Sequence, residues 1–377
     1  MRWSTIFREM RRNSYEDARF LFKGFDYQVV VRAVIDGTSP GKIWIDNEEN
    51  PKCGFMATTE GWFLAGTPEN NDFNHGLREL VHDMILRDDY YSPANPEFLR
   101  ELFFHIDTEE WKSKFTYIFD IRPPLPCRRM HFTCSQVTLD WQDKIPEGYR
   151  LLAVNSALDV DRLEFPEDIK RWVESSLEDQ KKRGFGKCLI HGTRVVVWIN
   201  ADCASGDECE IGIITTEDHR RKGLGSLTAA AAVDHCLSNG FALVGWHCDV
   251  GNDGSVGVAQ KVGFVKERDY IHYICMFSEA EHLAESGLRH FYDRQYEEAL
   301  ADLEEALRIG EAPTWTHVLA GRSYAAIGDT TNASKHFIRA KSDGWSNWEW
   351  LLQNEEMKHK FGMKEWDELV AQLRQTL

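Results

Sequence analysis

The sequence predicts an α+β protein: a mixed-sheet domain followed by an all-α tail. Three observations carry that prediction. Strand-like and helix-like segments alternate across residues 130–277. Within them a basic Gly-x-Gly turn, Arg220-Arg221-Lys222-Gly223-Leu224-Gly225, joins an apolar strand to an Ala-rich helix. The last hundred residues repeat small and large side chains at a spacing of 34, the signature of stacked helical hairpins.

Along the chain, residues 41–46 and 53–57 flank the polar turn NEENPK and read as a hairpin, with 61–65 as the next strand. Residues 76–88 and 96–104 read as helices. Arg122-Pro-Pro-Leu-Pro-Cys-Arg-Arg129 carries three prolines, fits neither a helix nor a central strand, and is the expected linker. Strands follow at 131–140 and 149–155, and one amphipathic helix at 166–183, with Ile169, Trp172, Val173 and Leu177 on its apolar face. Two β-rich runs, 186–191 and 195–200, flank HGTR. A strand at 210–216, a helix at 224–239 ended by Gly240, a strand at 242–249, a short helix at 253–262 and a strand at 270–277 complete the domain. The expected division is 1–125, 130–277 and 280–377.

In the tail, Gly287 and Gly321 are 34 residues apart, as are Ala299 and Ala333, Leu303 and Phe337, and Ala306 and Ala340. Gly321-x2-Tyr324 and Ala333-x3-Phe337-x2-Ala340 resemble the tetratricopeptide repeat. The first copy departs from it, with His290 in place of the tyrosine and Leu303 in place of the aromatic. The resemblance implies paired helices that brace the catalytic domain, join two subunits or dock a protein partner.

The Gly-x-Gly turn has its own chemistry. Glycines spaced by one residue let the backbone turn sharply into a helix, whose first N–H groups lack partners and attract phosphate. Arg220, Arg221 and Lys222 add positive charge. Arg220-x-x-Gly223-x-Gly225 resembles the pyrophosphate signature of the GCN5-related N-acetyltransferase (GNAT) superfamily. Asn252-x-x-Ser255, followed by Ala259, Lys261 and Gly263-Phe264, resembles its next element. Within the superfamily, TTEDHRRKGLG, GWHCDVGNDGS and KVGF look most like bacterial small-molecule acetyltransferases, antibiotic-resistance enzymes among them. In that subgroup a degenerate GNAT-like half precedes the catalytic domain, so the fold would be tandem.

The resemblance implies acetyl-CoA as donor, held where strands 210–216 and 242–249 part. Backbone groups at Ile214 and Thr215 would meet the pantetheine. Arg220, Arg221, Lys222, Gly223, Leu224, Gly225 and Ser226 would hold the pyrophosphate, and Asn252 and Ser255 would contact the pantetheine arm. Glu210 stands near the superfamily's common base, and its apolar strand EIGII should raise its pKa by desolvation. The superfamily's usual tyrosine acid falls at Ala259, which leaves Tyr270 and Tyr273 as substitutes. Trp246 and Asp249 border the cleft as candidate acceptor contacts, Asp249 for a cationic group. Alternation places Trp246 and Cys248 on one face, His247 and Asp249 on the other.

The implied reaction is direct acetyl transfer to the amine of a small molecule, with an antibiotic or other natural product in range. Peptide N-acetylation through the repeats, or an acyl-CoA-binding scaffold without catalysis, are the alternatives. With 61 acidic against 44 basic residues, the net charge of −17 argues against nucleic acid or anionic membrane as partner and hints at a cationic acceptor. No apolar run reaches 18 residues, so no spanning helix is expected. The N-terminus lacks the apolar core of a secretory signal. Nine scattered cysteines without a CxxC imply free thiols in a reducing cytoplasm and no metal cluster.

Overall fold

The computed structural model describes residues 7–86, 101–173, 176–345 and 348–375. They divide into two compact units, Met1–Ile121 with Pro126–Ile274, and Arg122–Leu125 with Cys275–Leu377.

The first unit is built on one twelve-stranded sheet. Its strands are β1 (Arg8–Glu9), β2 (Gly41–Ile45), β3 (Cys53–Thr58), β4 (Gly61–Gly66), β5 (Glu101–Ile106), β6 (Leu125–Cys134), β7 (Tyr149–Val154), β8 (Gly186–His191), β9 (Arg194–Ser205), β10 (Glu208–Thr215), β11 (Leu243–Asp249) and β12 (Val265–Met276). Their spatial order is β1-β2-β3-β4-β5-β12-β6-β11-β10-β9-β8-β7. The sheet's helices are α1 (Val29–Asp36), α2 (Asn71–Leu86), the short α3 (Phe115–Ile118), α4 (Glu167–Val173), α5 (Leu177–Arg183), α6 (Leu224–Ser238) and α7 (Asp253–Val262).

Several expectations need correction. The proline-rich stretch is not a linker along its whole length: Leu125–Cys134 is the central strand β6. Pro126 is tolerated because it lies near the strand's start, before the Arg129–Asp249 pair that opens the ladder to β11. Residues 101–104, the end of the helix expected at 96–104, belong to strand β5 (Glu101–Ile106), while 96–100 lie outside the described residues. The single helix at 166–183 is two, α4 and α5. Strand β9 runs on to Ser205, five residues beyond the expected end at Asn200. Helix α1 was not anticipated, because VVVRAVID is β-branched and short. It is held by burial instead: Val29, Val30, Val31, Ala33 and Val34 are nearly inaccessible.

The core beneath α6 and α7 contains Phe132, Val196, Val197, Ile199, Ala229, Ala230, Val233, Val244 and Trp246. The alanines of α6 let the helix lie close on the sheet. A second core joins α1 to the strands of the first half, from Ile43 and Ile45 to Met56 and Phe63.

The second unit is helical: α8 (Glu279–Tyr292), α9 (Tyr296–Ile309), α10 (Trp315–Ala326), α11 (Thr330–Ser342), α12 (Trp348–Leu352), α13 (Glu355–Lys360) and α14 (Met363–Gln375). The 34-residue spacing has a packing counterpart. A Cβ on Gly287 would meet Leu303 Cγ at 2.6 Å, and one on Gly321 would meet the Phe337 ring at 2.8 Å. Each glycine therefore sets how closely its helix approaches the next, and the large residue one helix later fills the space. Trp366, Leu369 and Leu373 close the stack against Phe337 and Leu351.

Candidate active site

Strands β10 and β11 are paired in parallel only over Glu208–Leu243, Cys209–Val244 and Glu210–Gly245. Beyond Glu210, residues Ile211–Thr215 pair with β9 alone, while Trp246–Asp249 pair with β6. The strands thus part at Glu210, opening a wedge with Ile214 and Thr215 on one wall.

At the far end of β10 the chain turns into α6. Arg221 (φ 61°) and Gly223 (φ 77°) both adopt the left-handed conformation, and Gly223 caps the helix. Gly225 lies against the strand: a Cβ there would meet Thr215 Oγ1 at 3.2 Å and Ile213 Cδ1 at 3.5 Å. The Arg220 guanidinium donates through Nε to the Thr215 carbonyl (3.1 Å), and Arg220, Arg221 and Lys222 are exposed. Leu224 and Ser226 are buried at the start of α6. The free N–H groups of the first turn, with three cations beside them, fit an anionic pyrophosphate. Asn252 caps α7 by accepting from the Ser255 N–H at 3.0 Å. Ser255 Oγ accepts from Trp246 Nε1, also at 3.0 Å.

Glu210 is 6% exposed and heavily engaged. Its Oε1 accepts from the Val29 N–H (2.7 Å), the first donor of α1, and pairs with His247 Nε2 (3.0 Å). Its Oε2 accepts from the Cys203 thiol (3.3 Å). Burial pushes the carboxyl up, as expected from sequence. His247, the Val29 amide and Cys203 together outweigh burial, and the pKa falls below the ordinary glutamate value. The expectation of a raised pKa is therefore overturned: Glu210 is a fixed anion.

The charge of Glu210 decides the proton arrangement of its neighbour. An ionised carboxylate only accepts, so His247 Nε2 carries the proton. In the neutral imidazole Nδ1 is then the acceptor for the Tyr270 hydroxyl, 3.0 Å away. Glu210, His247 and Tyr270 form one hydrogen-bonded chain running out from the point where the strands part. The Tyr270 hydroxyl is pushed up by burial and stays protonated at neutral pH. His131 stacks on His247, with ring centroids 4.4 Å apart and planes 9° apart. Burial and His247 push its pKa down to about 4, so it stays neutral at physiological pH.

Two of the expected site residues lie elsewhere. Tyr273 packs among Phe104, Phe115 and Phe119 in the first half, and shares nothing with Glu210. Trp246 is 2% exposed in the core under α7, on the face opposite His247, so it does not line the acceptor side. Asp249 shares the face of His247, but Arg129 Nε lies 3.0 Å from its carboxylate. Cys127, Asp249 and His272 bring three donor atoms within 4.8 Å of one another, and Arg129 already supplies positive charge there. The nine cysteines are buried free thiols.

Sequence reasoning placed His247 on the right face yet gave it no role. The signal lay in the pairing: His247 is two residues beyond Gly245, the partner of Glu210.

A sequence profile of the GNAT acetyltransferase family matches residues 19–273, two thirds of the chain. The chain belongs to the GNAT acetyltransferases. This GNAT enzyme is 25% identical over 272 residues to the uncharacterised N-acetyltransferase YdfB of Bacillus subtilis (strain 168), covering 71% of this chain and 98% of YdfB. Among solved structures it is similar to a GCN5-related N-acetyltransferase-like protein from Streptococcus suis 89/1591. The identity is 17% and the TM-score 0.47, over 69% of this chain and 98% of the other. It is also similar to a GCN5-related N-acetyltransferase from Sphaerobacter thermophilus, at 10% identity and TM-score 0.47, over 73% and 97% of the two chains. Family membership makes the protein an acetyltransferase, and acetyl-CoA is the donor its family uses. Among the described residues, no helix is long and apolar enough to cross a membrane.

Proposed function

We propose that this GNAT enzyme acetylates the amine of a small molecule directly from acetyl-CoA, with Tyr270, His247 and Glu210 acting as a proton relay. One observation carries the reading: the hydrogen-bonded chain begins at Glu210, where β10 and β11 part.

The wedge supplies the donor's seat. Ile214 and Thr215 lose their ladder partner on the β11 side, so their backbone groups are left for the pantetheine arm. The loop from Arg220 to Ser226 would hold the pyrophosphate through the first-turn amides of α6 and its flanking cations. Asn252 keeps its amide N–H₂ group for the pantetheine, since only its oxygen is used in capping.

An alkylammonium with a pKa near 10 is about 0.1% neutral at pH 7, so transfer needs a route for a proton. Tyr270 stays protonated and cannot take one alone. As its own proton passes to His247 Nδ1, its oxygen becomes able to accept the amine's proton. Glu210 stabilises the resulting imidazolium, held in place by Val29 and Cys203. When the C–N bond forms and the C–S bond breaks, the hydroxyl gives its proton to the leaving sulfur and takes up the second proton that the nitrogen sheds, and the imidazolium releases the excess proton to solvent. The expected base and one of the two expected acids thus become the ends of one relay.

Thiol release from acetyl-CoA with a panel of polyamines, aminoglycosides and amino-sugar antibiotics tests the function. Turnover with at least one acceptor, lost in both His247→Ala and Tyr270→Phe while coenzyme A still binds, is expected. Full activity in Tyr270→Phe would overturn the relay, and absence of turnover with every small amine would overturn the acceptor class.

A further inference from the structure

We propose that the recess beside Glu210 holds a second positive charge of the acceptor, so that the enzyme selects diamines and polyamines over monoamines. The proposal rests on the small-amine reading above and names the substrate class within it.

The recess is made by an irregularity in the sheet. Glu210 pairs with Cys203 and Ile211 with Ala201, so Asp202 is the extra residue of a β-bulge in β9. A bulge breaks alternation, and two adjacent residues come to share a face. Cys203 donates to Glu210, while the Asp202 carboxylate lies over Gly212, two residues along the strand and on the same face as Glu210. A Cβ at Gly212 would run into that carboxylate and, at 2.8 Å, into the Trp172 ring of α4. The missing side chain is what makes room for the acid.

Two carboxylates, Glu210 and Asp202, share this face, and the field of a third, Glu60, reaches both. Asp202 lies in the fields of Glu60 and Glu210, and Glu60 in that of Glu210. Glu60 is an exposed residue of the β3–β4 turn. Desolvation, then Glu210, pushes its carboxyl up to about 7. Burial first, then Glu60 and Glu210, raise that of Asp202. Two cations stand near, Arg129 acting on Glu60 and Arg183 on both Glu60 and Asp202, but neither is hydrogen-bonded to a carboxylate of the group. Arg129 faces Asp249, and Arg183 donates to the Asp202 backbone carbonyl (2.5 Å) and pairs with Asp179.

An independent observation shows that a donor is wanted. Asn200 sits opposite Gly212, on the same face, and is 2% exposed. Its Nδ2 donates to Asp202 Oδ1 at 2.6 Å, but its Oδ1 has no hydrogen-bond partner. A buried acceptor without a donor is costly and rare. Beside a carboxylate and an indole ring, it matches an ammonium group, which donates three times and is attracted to an aromatic face. The acceptor's reacting amine would sit at the Tyr270 end of the relay and its second ammonium against the Asp202 carboxylate and Asn200 Oδ1.

Calorimetric titration of the full chain with α,ω-diamines of three to six carbons, against n-alkylamines of matching length, is the test. At least one diamine should bind about tenfold more tightly than its monoamine, the effect of a hydrogen bond to a charged group. Asp202→Asn should abolish the preference and leave monoamine affinity unchanged. Equal binding of diamines and monoamines by the unaltered protein would overturn the proposal, as would a preference that survives Asp202→Asn. Thiol release from acetyl-CoA, measured in parallel, separates the two readings. A diamine preference without transfer overturns the acetylation of small amines and leaves the recess standing. Transfer to monoamines and diamines with equal kcat/KM overturns the recess alone.

Discussion

At Gly245 one methyl group would disturb the site most directly. A Cβ there would meet Glu210 Cγ at 2.8 Å, so Gly245→Ala must displace the anion that anchors His247. Overpacking of this kind costs about 1–3 kcal/mol, while a displacement near 1 Å lowers a rate about 100-fold. We expect a folded protein with a slightly lower Tm and a collapsed kcat, read by thermal melting and steady-state kinetics. Glu210→Gln should lower kcat by about 10²–10⁴. The pH dependence distinguishes its role. Because the folded pKa of Glu210 lies below the ordinary value, the group is ionised throughout the neutral range and loses its charge only as pH falls through that lowered pKa. The loss in Glu210→Gln should therefore be uniform from pH 6 to 9; a loss that shrinks toward the acid side of that range would show Glu210 itself to be the titrating base. The sequence pointed to Glu210 and Tyr270 through the family resemblance, but not to the direction of the pKa. Burial was legible in EIGII, whereas the opposing Val29 amide lies 181 residues away in sequence.

Elements were legible where periodicity or turn chemistry marks them, and illegible where a distant partner overrides both. Strand β8 and helix α7 match their expected bounds, and α6 differs only at its last residue. The first half of β6 was hidden by Pro126, because nothing local shows that β11 and β12 will flank it; residues 131–134 fall within the expected strand 131–140, which ends early at Cys134. Helix α1 was hidden by its valines, which are buried against β9 and β10. The bulge at Asp202 was equally invisible, since it depends on which residues β10 presents. In the helical unit the small-residue spacing was read correctly as packing, and that makes a prediction. Gly321→Leu would drive a side chain into Phe337, whose ring already lies within 2.8 Å of a Cβ position. It should separate α10 from α11 and expose their amides to hydrogen exchange. Phe337→Ala should destabilise the same pair through a cavity, at about 3–5 kcal/mol.

On the scale of the whole chain, the sheet explains why the first half is needed for chemistry. Its helix α1 donates to Glu210 through Val29, pairs Arg32 with Glu208 at 2.7 Å, and bonds Thr38 to the Ala204 carbonyl at 2.6 Å. Every residue placed in the relay, the phosphate loop and the recess belongs to the first compact unit. The helical unit contributes none of them, so a chain ending after Phe277 should keep its kcat/KM for small amines. Stability should change, because Arg122–Leu125 belongs with the helical unit. His282 on α8 bonds the Pro123 carbonyl at 3.0 Å, and the shortened chain would leave that carbonyl without its donor. The loss of one such bond is about 1 kcal/mol, a fall of a few degrees in Tm. Kinetics at a temperature where both forms are folded, alongside thermal melting, measure the two effects separately. A fall in kcat/KM without unfolding would show that the helices take part in acceptor selection. Unchanged kinetics with a lowered Tm would assign them to stability or to a partner.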